Sequence, residues 1–420
     1  MNRRNFLRTT GTVSAAALLH QGSIAANTNA AEYTQDIDPA IIKSIRQRIS
    51  PITEIEYKNR QTNAQRLMAE NSIDTILMEG GTSLNYFTGA TWGRSERLFA
   101  LILPQKGEPL FIAPKFEEGR AKEQTGNARL YTWEENESPY ALIKQVLKDN
   151  NLLTVNFGIE ETVRYFVTEN LQKSIPSLRL IPAMIVTASC RSVKSEHEME
   201  LMQIANDITA EVYKAAVKQL KEGMGEREFG GIISKLFLEF GVNGGALVLF
   251  GEASAYPHGL VKETKLKQGD IVLIDGGCTV EGYESDVTRT TVFGKPTDKM
   301  QKVWEIVSLA QHKALQTAKP GVQAEMVDAA ARGIIEENGY GPGYKYFTHR
   351  LGHGIGMDGH EWFYLVGGNK RQLYRGNVFS NEPGIYIAGE FGIRIEDEMM
   401  ITKSGATLLL PPQKSLEILF

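Results

Sequence analysis

Cysteine is almost absent: the 420 residues contain two, Cys190 and Cys278, so neither a disulfide framework nor a cysteine-rich zinc site can be built. One disulfide between them stays open, although two buried thiols are the preferred reading because free cysteine is commonly buried. A charge excess of either sign is also lacking. The 46 basic and 50 acidic residues leave a net charge of −4, without the basic footprint of a nucleic-acid binder. No stretch reaches the roughly 20 consecutive apolar residues that a membrane-spanning helix needs. Short-period repeats and low-complexity tracts are missing too. What is present is an ordinary globular composition, 42% hydrophobic and 23% charged, long enough for two or three domains.

The N-terminus carries Arg3, Arg4, Asn5, Phe6 and Leu7, a weakly apolar stretch from Gly11 to Leu19, and small residues Ala25, Ala26, Ala30 and Ala31. It resembles a twin-arginine signal peptide over residues 1–31, with cleavage near Ala26 or Ala31. That resemblance implies passage through the twin-arginine export machinery and a periplasmic or otherwise exported protein. A polar linker is expected over 32–50. From Tyr57 to Asn71 the spacing is helical, and Thr75 to Met78 reads as a buried strand. Leu98 to Leu103, Pro109 to Ala113, Asn156 to Ile159 and Leu178 to Ile181 read as further strands, with Tyr140 to Lys148 helical, giving a compact α/β unit. Beyond it, Glu196 to Gln219, Glu226 to Phe240 and Met300 to Ala318 are three helical patterns among strands and tight turns.

Two hairpin patterns in this second region concentrate acids. The apolar run Ile271 to Ile274 ends in Asp275 and is followed by Gly276, Gly277, a Glu281-Gly282 turn and an extended stretch from Ser285 to Phe293. If Glu281 and Gly282 form a two-residue turn, Asp275 lies opposite Thr288 and diagonal to Asp286 on one sheet face. Desolvated carboxylates side by side repel, which raises a pKa or calls for a divalent cation. Taken alone, this hairpin leaves solvent-exposed acids beside a turn equally open. Glu382, in the run Phe379 to Tyr386, and Glu396, in the run Gly392 to Glu396, are fourteen residues apart around a loop with Gly389 and Gly392. An even spacing keeps both on one face, and glutamate beside Ile385, Ile393 and Ile395 is rarely buried without a partner. Gly352-His353-Gly354-Ile355-Gly356 removes Cβ atoms around an imidazole. One imidazole among four carboxylates suits a pair of manganese, iron, cobalt or zinc ions. His258, His349 and His360 belong to the same regions, and His349, His353 and His360 fall within twelve residues of a chain with seven histidines.

The spacing Asp275 to Asp286, the string Thr348-His349-Arg350-Leu351-Gly352-His353-Gly354-Ile355-Gly356, and then His360-Glu361, Asn381-Glu382-Pro383-Gly384 and Arg394-Ile395-Glu396-Asp397 resemble the pita-bread metallopeptidases. That family includes proline dipeptidases, aminopeptidase P and methionine aminopeptidase, and the resemblance covers nearly all of residues 190–410. It implies an α+β pita-bread (creatinase/aminopeptidase) domain at 189–412, preceded by a smaller α/β creatinase-like N-terminal domain at 51–188. It implies two divalent metals, manganese foremost with cobalt, zinc or iron as alternatives, held by Asp275, Asp286, His353, Glu382 and Glu396. A peptide substrate and a homodimer are implied as well.

Under the same resemblance Glu382 is the general base, and His360 and His349 donate hydrogen bonds to the tetrahedral oxyanion. His258 holds the substrate carbonyl, while Arg394 either orients a ligand glutamate or binds a substrate carboxylate. A bond preceding proline has no N–H, so its recognition needs ring packing, for which Tyr386 and Phe363 are candidates. Trp92, Arg94, Glu96 and Arg97 either face substrate or form a surface salt-bridge set. The expectation is an exported Xaa-Pro peptidase. Two alternatives stand beside it. The first is a small-molecule lyase or hydrolase on the same fold, resembling the dimethylsulfoniopropionate lyases; that class carries an aspartate where this chain has Gly277. The second is a noncatalytic peptide-binding module, a type that usually loses the ligands retained here.

Overall fold

The computed structural model of the chain describes residues 37–153 and 156–420. The expected signal peptide and the start of the expected linker lie outside the described residues. A mixed six-stranded sheet forms the first domain, in the order Arg129–Trp133, Leu110–Pro114, Ala100–Pro104, Thr75–Glu79, Asn156–Ile159 and Arg179–Pro182. Thr75–Glu79, Ala100–Pro104 and Leu110–Pro114 are buried along their whole length. Such strands are covered on both faces and therefore read as unbroken apolar runs rather than alternating ones. Separate apolar clusters fill the two faces, one around Met68, Phe87 and Phe111, the other around Leu77, Ile112 and Leu147.

The first helix of this domain, Glu54–Glu70, starts at a capping box in which Thr53 accepts from the Glu56 amide and Glu56 accepts from Thr53. The same device, Ser195 with Glu198, starts the long helix Glu196–Ala216 of the second domain. The expected helices at 226–240 and 300–318 are found as Glu226–Glu239 and Asp298–Thr317. A fourth helix, Ala324–Glu337, has no counterpart among the helical patterns of the sequence. Its buried stripe contains Ala324, Val327, Ala331 and Ile335, and alanine buries too little area to give a strong apolar period. These helices cover three sheets: Val287–Val292 beside Ile271–Val280 beside Asn243–Phe250, a five-stranded sheet containing Gly352–Gly354 and Val378–Asn381, and a two-stranded ribbon of Gly384–Ile387 with Phe391–Arg394.

The chain departs from three expected boundaries. From residue 37 the supposed linker is folded: Pro39–Arg46 is a helix whose Ile42 and Ile45, with Ile37, sit in the same apolar cluster as Leu201, Ile208 and Phe237 of the second domain. Arg48 then pairs with Glu200 and Asp207, at 3.0 and 2.5 Å. The chain thus contributes to the core of its second domain before building the first. At the other end, Leu416 and Leu419 are buried, and the Leu419 carbonyl accepts from Arg289 Nε at 3.0 Å, so the second domain continues past residue 412. The helix Met184–Ser192 runs across the expected 188/189 division. Both cysteines are free and buried, and no helix among the described residues is long and apolar enough to cross a membrane.

Candidate active site

The first acidic hairpin folds as its local sequence dictates. Glu281 and Gly282 both take positive φ, 48° and 86°, the two-residue turn that matches strand twist. Val280 then pairs with Tyr283 and Asp275 with Thr288, which puts Asp275 and Asp286 on one face. The second hairpin departs from a simple ribbon. Its outer part pairs Gly384 with Arg394, and its inner part pairs Asn381 with Asp397 in a different sheet. Glu382 and Glu396 face each other in the break between the two parts, because the register is unchanged across it. They share a face as cross-strand neighbours.

The two hairpins are stitched together at this break. The Glu396 amide donates to the Thr288 carbonyl at 3.1 Å, Thr290 Oγ1 donates to the Arg394 carbonyl at 2.6 Å, and Arg289 Nη1 donates to the Glu396 carbonyl at 2.7 Å. His353 comes from the strand Gly352–Gly354, its amide bonded to Ser380 Oγ at 2.9 Å. Its Nδ1 lies 3.0 Å from the Gly354 carbonyl. A carbonyl only accepts, so Nδ1 carries the proton and the lone pair is on Nε2. Nε2 points at the acids, 3.3 Å from Glu382 Oε1 and 3.7 Å from Asp286 Oδ2.

These groups meet in a cavity of about 460 Å³ that Asp275, Asp286, His353, Glu382 and Glu396 all line, together with His258, His349, Arg350, His360 and Arg394. Ligand atoms of Asp275, Asp286 and Glu396 lie within 4.8 Å of one another, and so do those of His353, Glu382 and Glu396. A larger cavity of about 850 Å³, between the helix Asp298–Thr317 and residues 407–413, offers one carboxylate and one imidazole, Glu305 and His312. Size therefore does not identify the chemical site.

Burial and mutual repulsion shape the acid–base properties of these groups. Burial, then the charges of Asp275, Glu382 and Glu398, push the Asp286 carboxyl well above its ordinary value. Burial, then Asp286, Glu382 and Asp275, does the same to Glu396. Burial lifts Glu382 to about 7. Asp275 alone is held low: the Arg394 guanidinium and the Thr288 hydroxyl outweigh its burial. His353 is pushed down to about 3, first by burial and then by His360, so its lone pair stays available. Four crowded carboxyls beside a neutral imidazole with a free lone pair form a donor set that fits divalent first-row metals.

The surrounding residues partly redistribute the expected roles. Arg394 donates through Nε to Thr288 Oγ1, through Nη1 to Tyr386 Oη and the Pro257 carbonyl, and through Nη2 to Asp275 Oδ2, at 3.2, 2.9, 3.3 and 2.5 Å. Four of its five N–H donors are thereby committed. It orients Asp275, and the expected binding of a substrate carboxylate is not what this geometry provides. His349 is likewise occupied: Nδ1 donates to the Arg350 carbonyl and Nε2 accepts from Tyr386 Oη, both at 2.8 Å. The expected hydrogen bond from His349 to an oxyanion is corrected accordingly. Tyr386 is buried behind His349, and neither it nor Phe363, which packs under Arg371 at 3.3 Å, lines the cavity. His258 and His360 do line it and are exposed.

The Trp92 group divides: Trp92 is buried, and only Arg97 with its acidic partners forms a surface salt-bridge set. Trp92 stacks on Phe99 with centroids 4.1 Å apart, Arg94 Nε donates to the Gly80 carbonyl at 2.8 Å, and Arg97 pairs with Glu96 and, at 2.9 Å, with Glu135.

Arg350 and Glu398 escaped the sequence reading. Arg350 lines the cavity and lies over the Tyr364 ring at 4.0 Å. Glu398 accepts from the Asp286 amide at 2.9 Å and is raised to about 8 by burial. Its spacing of two from Glu396 on an extended segment was the available signal.

Residues 200–403 match metallopeptidase family M24, and residues 60–193 match the creatinase/prolidase N-terminal domain. An uncharacterized peptidase of Schizosaccharomyces pombe is 38% identical over 368 residues, 82% of this chain and 79% of that one. An Xaa-Pro dipeptidase of Pyrococcus furiosus is 33% identical over 362 residues, 86% of this chain and 99% of that one. The crystal structure of a prolidase from Thermococcus sibiricus superposes with a TM-score of 0.79 at 35% identity, covering 86% of this chain and 99% of that one. With its acidic hairpins, metal-ready imidazole and two-domain order, the chain belongs to metallopeptidase family M24, in the branch that joins a creatinase/prolidase N-terminal domain to the pita-bread catalytic domain.

Proposed function

We propose that the protein hydrolyses the bond preceding proline in Xaa-Pro dipeptides, using two divalent metals held by Asp275, Asp286, His353, Glu382 and Glu396, with manganese as the first choice. The observation that carries this reading is geometric: ligand atoms of Asp275, Asp286 and Glu396 lie within 4.8 Å of one another, and so do those of His353, Glu382 and Glu396. A metal pair, when bound, supplies the polarisation that makes water nucleophilic near neutral pH. The protein's own groups do the rest. Glu382, on the cavity wall, takes a proton and passes it to the departing prolyl nitrogen, which has none of its own. His360 and His258, exposed on the cavity wall, hydrogen-bond the substrate carbonyl as it gains charge. Arg394, Tyr386 and His349 form a relay behind them that fixes Asp275. The proline ring packs on Pro257 and the imidazole faces, since the two expected aromatic walls lie outside the cavity.

The lyase alternative places an aspartate at position 277. A Cβ on Gly277 would meet the Ser285 carbonyl oxygen at 2.0 Å, so this backbone disfavours that reading. Assay of metal-reconstituted protein on a panel of Xaa-Pro dipeptides and longer peptides tests the proposal. Glu382→Gln is expected to keep its metal and lose about 10²- to 10⁴-fold in kcat; full activity in that variant removes the assignment. We further propose twin-arginine export to the periplasm and a homodimer. Fractionation of wild type against Arg3→Lys/Arg4→Lys, and the native mass in solution, test these.

A further inference from the structure

Between His353 and the strand Glu361–Leu365 the chain makes a short turn through Gly356 and Asp358, and His360 is its last residue. The His360 ring makes no hydrogen bond among the described residues; it rests against the His353 ring, centroids 3.9 Å apart. Its position is therefore set by its backbone, and the next residue is a buried acid gripped by two cations.

Glu361 is buried. Its Oε1 accepts from Arg191 Nη2 at 2.6 Å, Arg191 Nε at 3.2 Å and the Met357 amide at 3.0 Å. Its Oε2 accepts from Lys194 Nζ at 2.9 Å. Arg191 and Lys194 are themselves buried. Arg191 also reaches Asp358 at 2.6 Å and Ser83 Oγ at 3.3 Å, while Thr82 Oγ1 donates to Asp358 at 2.6 Å. Ser83 in turn donates to the buried carboxylate Glu160 at 2.7 Å. A Cβ on Gly356 would lie 2.8 Å from Lys194 Cε and 2.9 Å from Glu361 Oε2, so the turn is packed against this cluster without slack.

We propose that Glu361 is the positioning residue for His360: clamped by Arg191 and Lys194, it transmits the seating of the N-terminal domain, through Thr82, Ser83 and Arg191, to the imidazole that meets the substrate. The inference rests on the peptidase reading of His360 given above. Two buried cations facing one carboxylate and a half-exposed second one balance in charge, and ionised Glu361 is indispensable to that balance. A buried pair of this kind has one geometry, whereas a hydrophobic contact tolerates sliding. An imidazole displaced by about 1 Å loses on the order of 100-fold in rate.

The test is a double-mutant cycle on kcat in metal-loaded enzyme, with metal content and Tm recorded for each variant. Glu361→Gln is expected to lower kcat between about 10- and 100-fold with little change in KM. In a His360→Ala background the same substitution is expected to cost almost nothing more. An equal loss in both backgrounds would show a merely structural role and overturn the coupling, leaving the His360 assignment intact. Unchanged kcat in His360→Ala alone would overturn both. If Glu361→Gln does not fold, Asp358→Asn, at the exposed rim of the cluster, substitutes for it. A smaller kcat loss that vanishes in His360→Ala supports the proposal, and no loss, or one persisting in that background, overturns it.

Discussion

Replacing Arg289 by methionine should remove a clamp that joins both acidic hairpins. The guanidinium is fully buried and pairs with Asp397, also fully buried, at 2.6 Å. It also donates to the carbonyls of Glu396, Thr288 and Leu419 at 2.7, 3.1 and 3.0 Å, and it faces the Phe420 ring at 4.6 Å. Methionine keeps the apolar stem but deletes every donor. Asp397 then retains one side-chain partner, Gln311 at 3.0 Å. Breaking one half of a buried pair costs about 3 to 5 kcal/mol because the other charge is stranded. At roughly 2 to 4 °C per kcal/mol for a domain of this size, Tm should fall by about 10 °C. The companion Arg289→Met/Asp397→Leu is expected to regain most of that, since an apolar replacement of both partners is often neutral. Scanning calorimetry on metal-free enzyme measures both. A loss below about 1 kcal/mol in the single variant, or a double variant no more stable than the single, would refute the reasoning.

Three further outcomes are expected. Burial pushes both Cys190 and Cys278 up to about 12, so neither should react with a thiol reagent at pH 8 until denaturant is added; stoichiometric labelling of native protein would contradict this. Ile45→Ala should destabilise the catalytic domain by about 2 to 5 kcal/mol, read as a lower denaturant midpoint, although Ile45 precedes the N-terminal domain in the chain. Burial opposes ionisation of Glu361, yet Lys194 and Arg191 hold it at about 2, below its ordinary 4.5. Its contribution to stability is then complete above about pH 4.5 and lost as pH falls through about 2. Glu361→Gln should flatten that limb of the stability profile, and an unchanged acid limb would count against the clamp.

Strands 100–104 and 110–114 were legible because they are apolar, short and bounded by turn residues. The strand Arg129–Trp133 was not: it lies at the edge of its sheet and only Trp133 is buried, so no apolar run marks it. The helix Ala324–Glu337 escaped for want of large apolar side chains. At the site, the convergence of the four carboxylates Asp275, Asp286, Glu382 and Glu396 was legible, because glycine turns and even spacing fix which face a carboxylate takes. The roles of Arg394 and His349 were not, because proximity in sequence says nothing about which acceptors a donor finds first.

Residue type and short-range spacing determined by themselves the turn at Glu281-Gly282, the pairing of Asp275 with Thr288 and the identity of the donors, since strand period and turn chemistry act over a few residues. Tertiary structure alone decided that Pro39–Arg46 packs into the second domain, that Arg394 grips Asp275, and that Arg191 reaches Glu361 across 170 positions of sequence. Those contacts are chosen by competition for burial and charge among distant segments, and no local pattern carries that information.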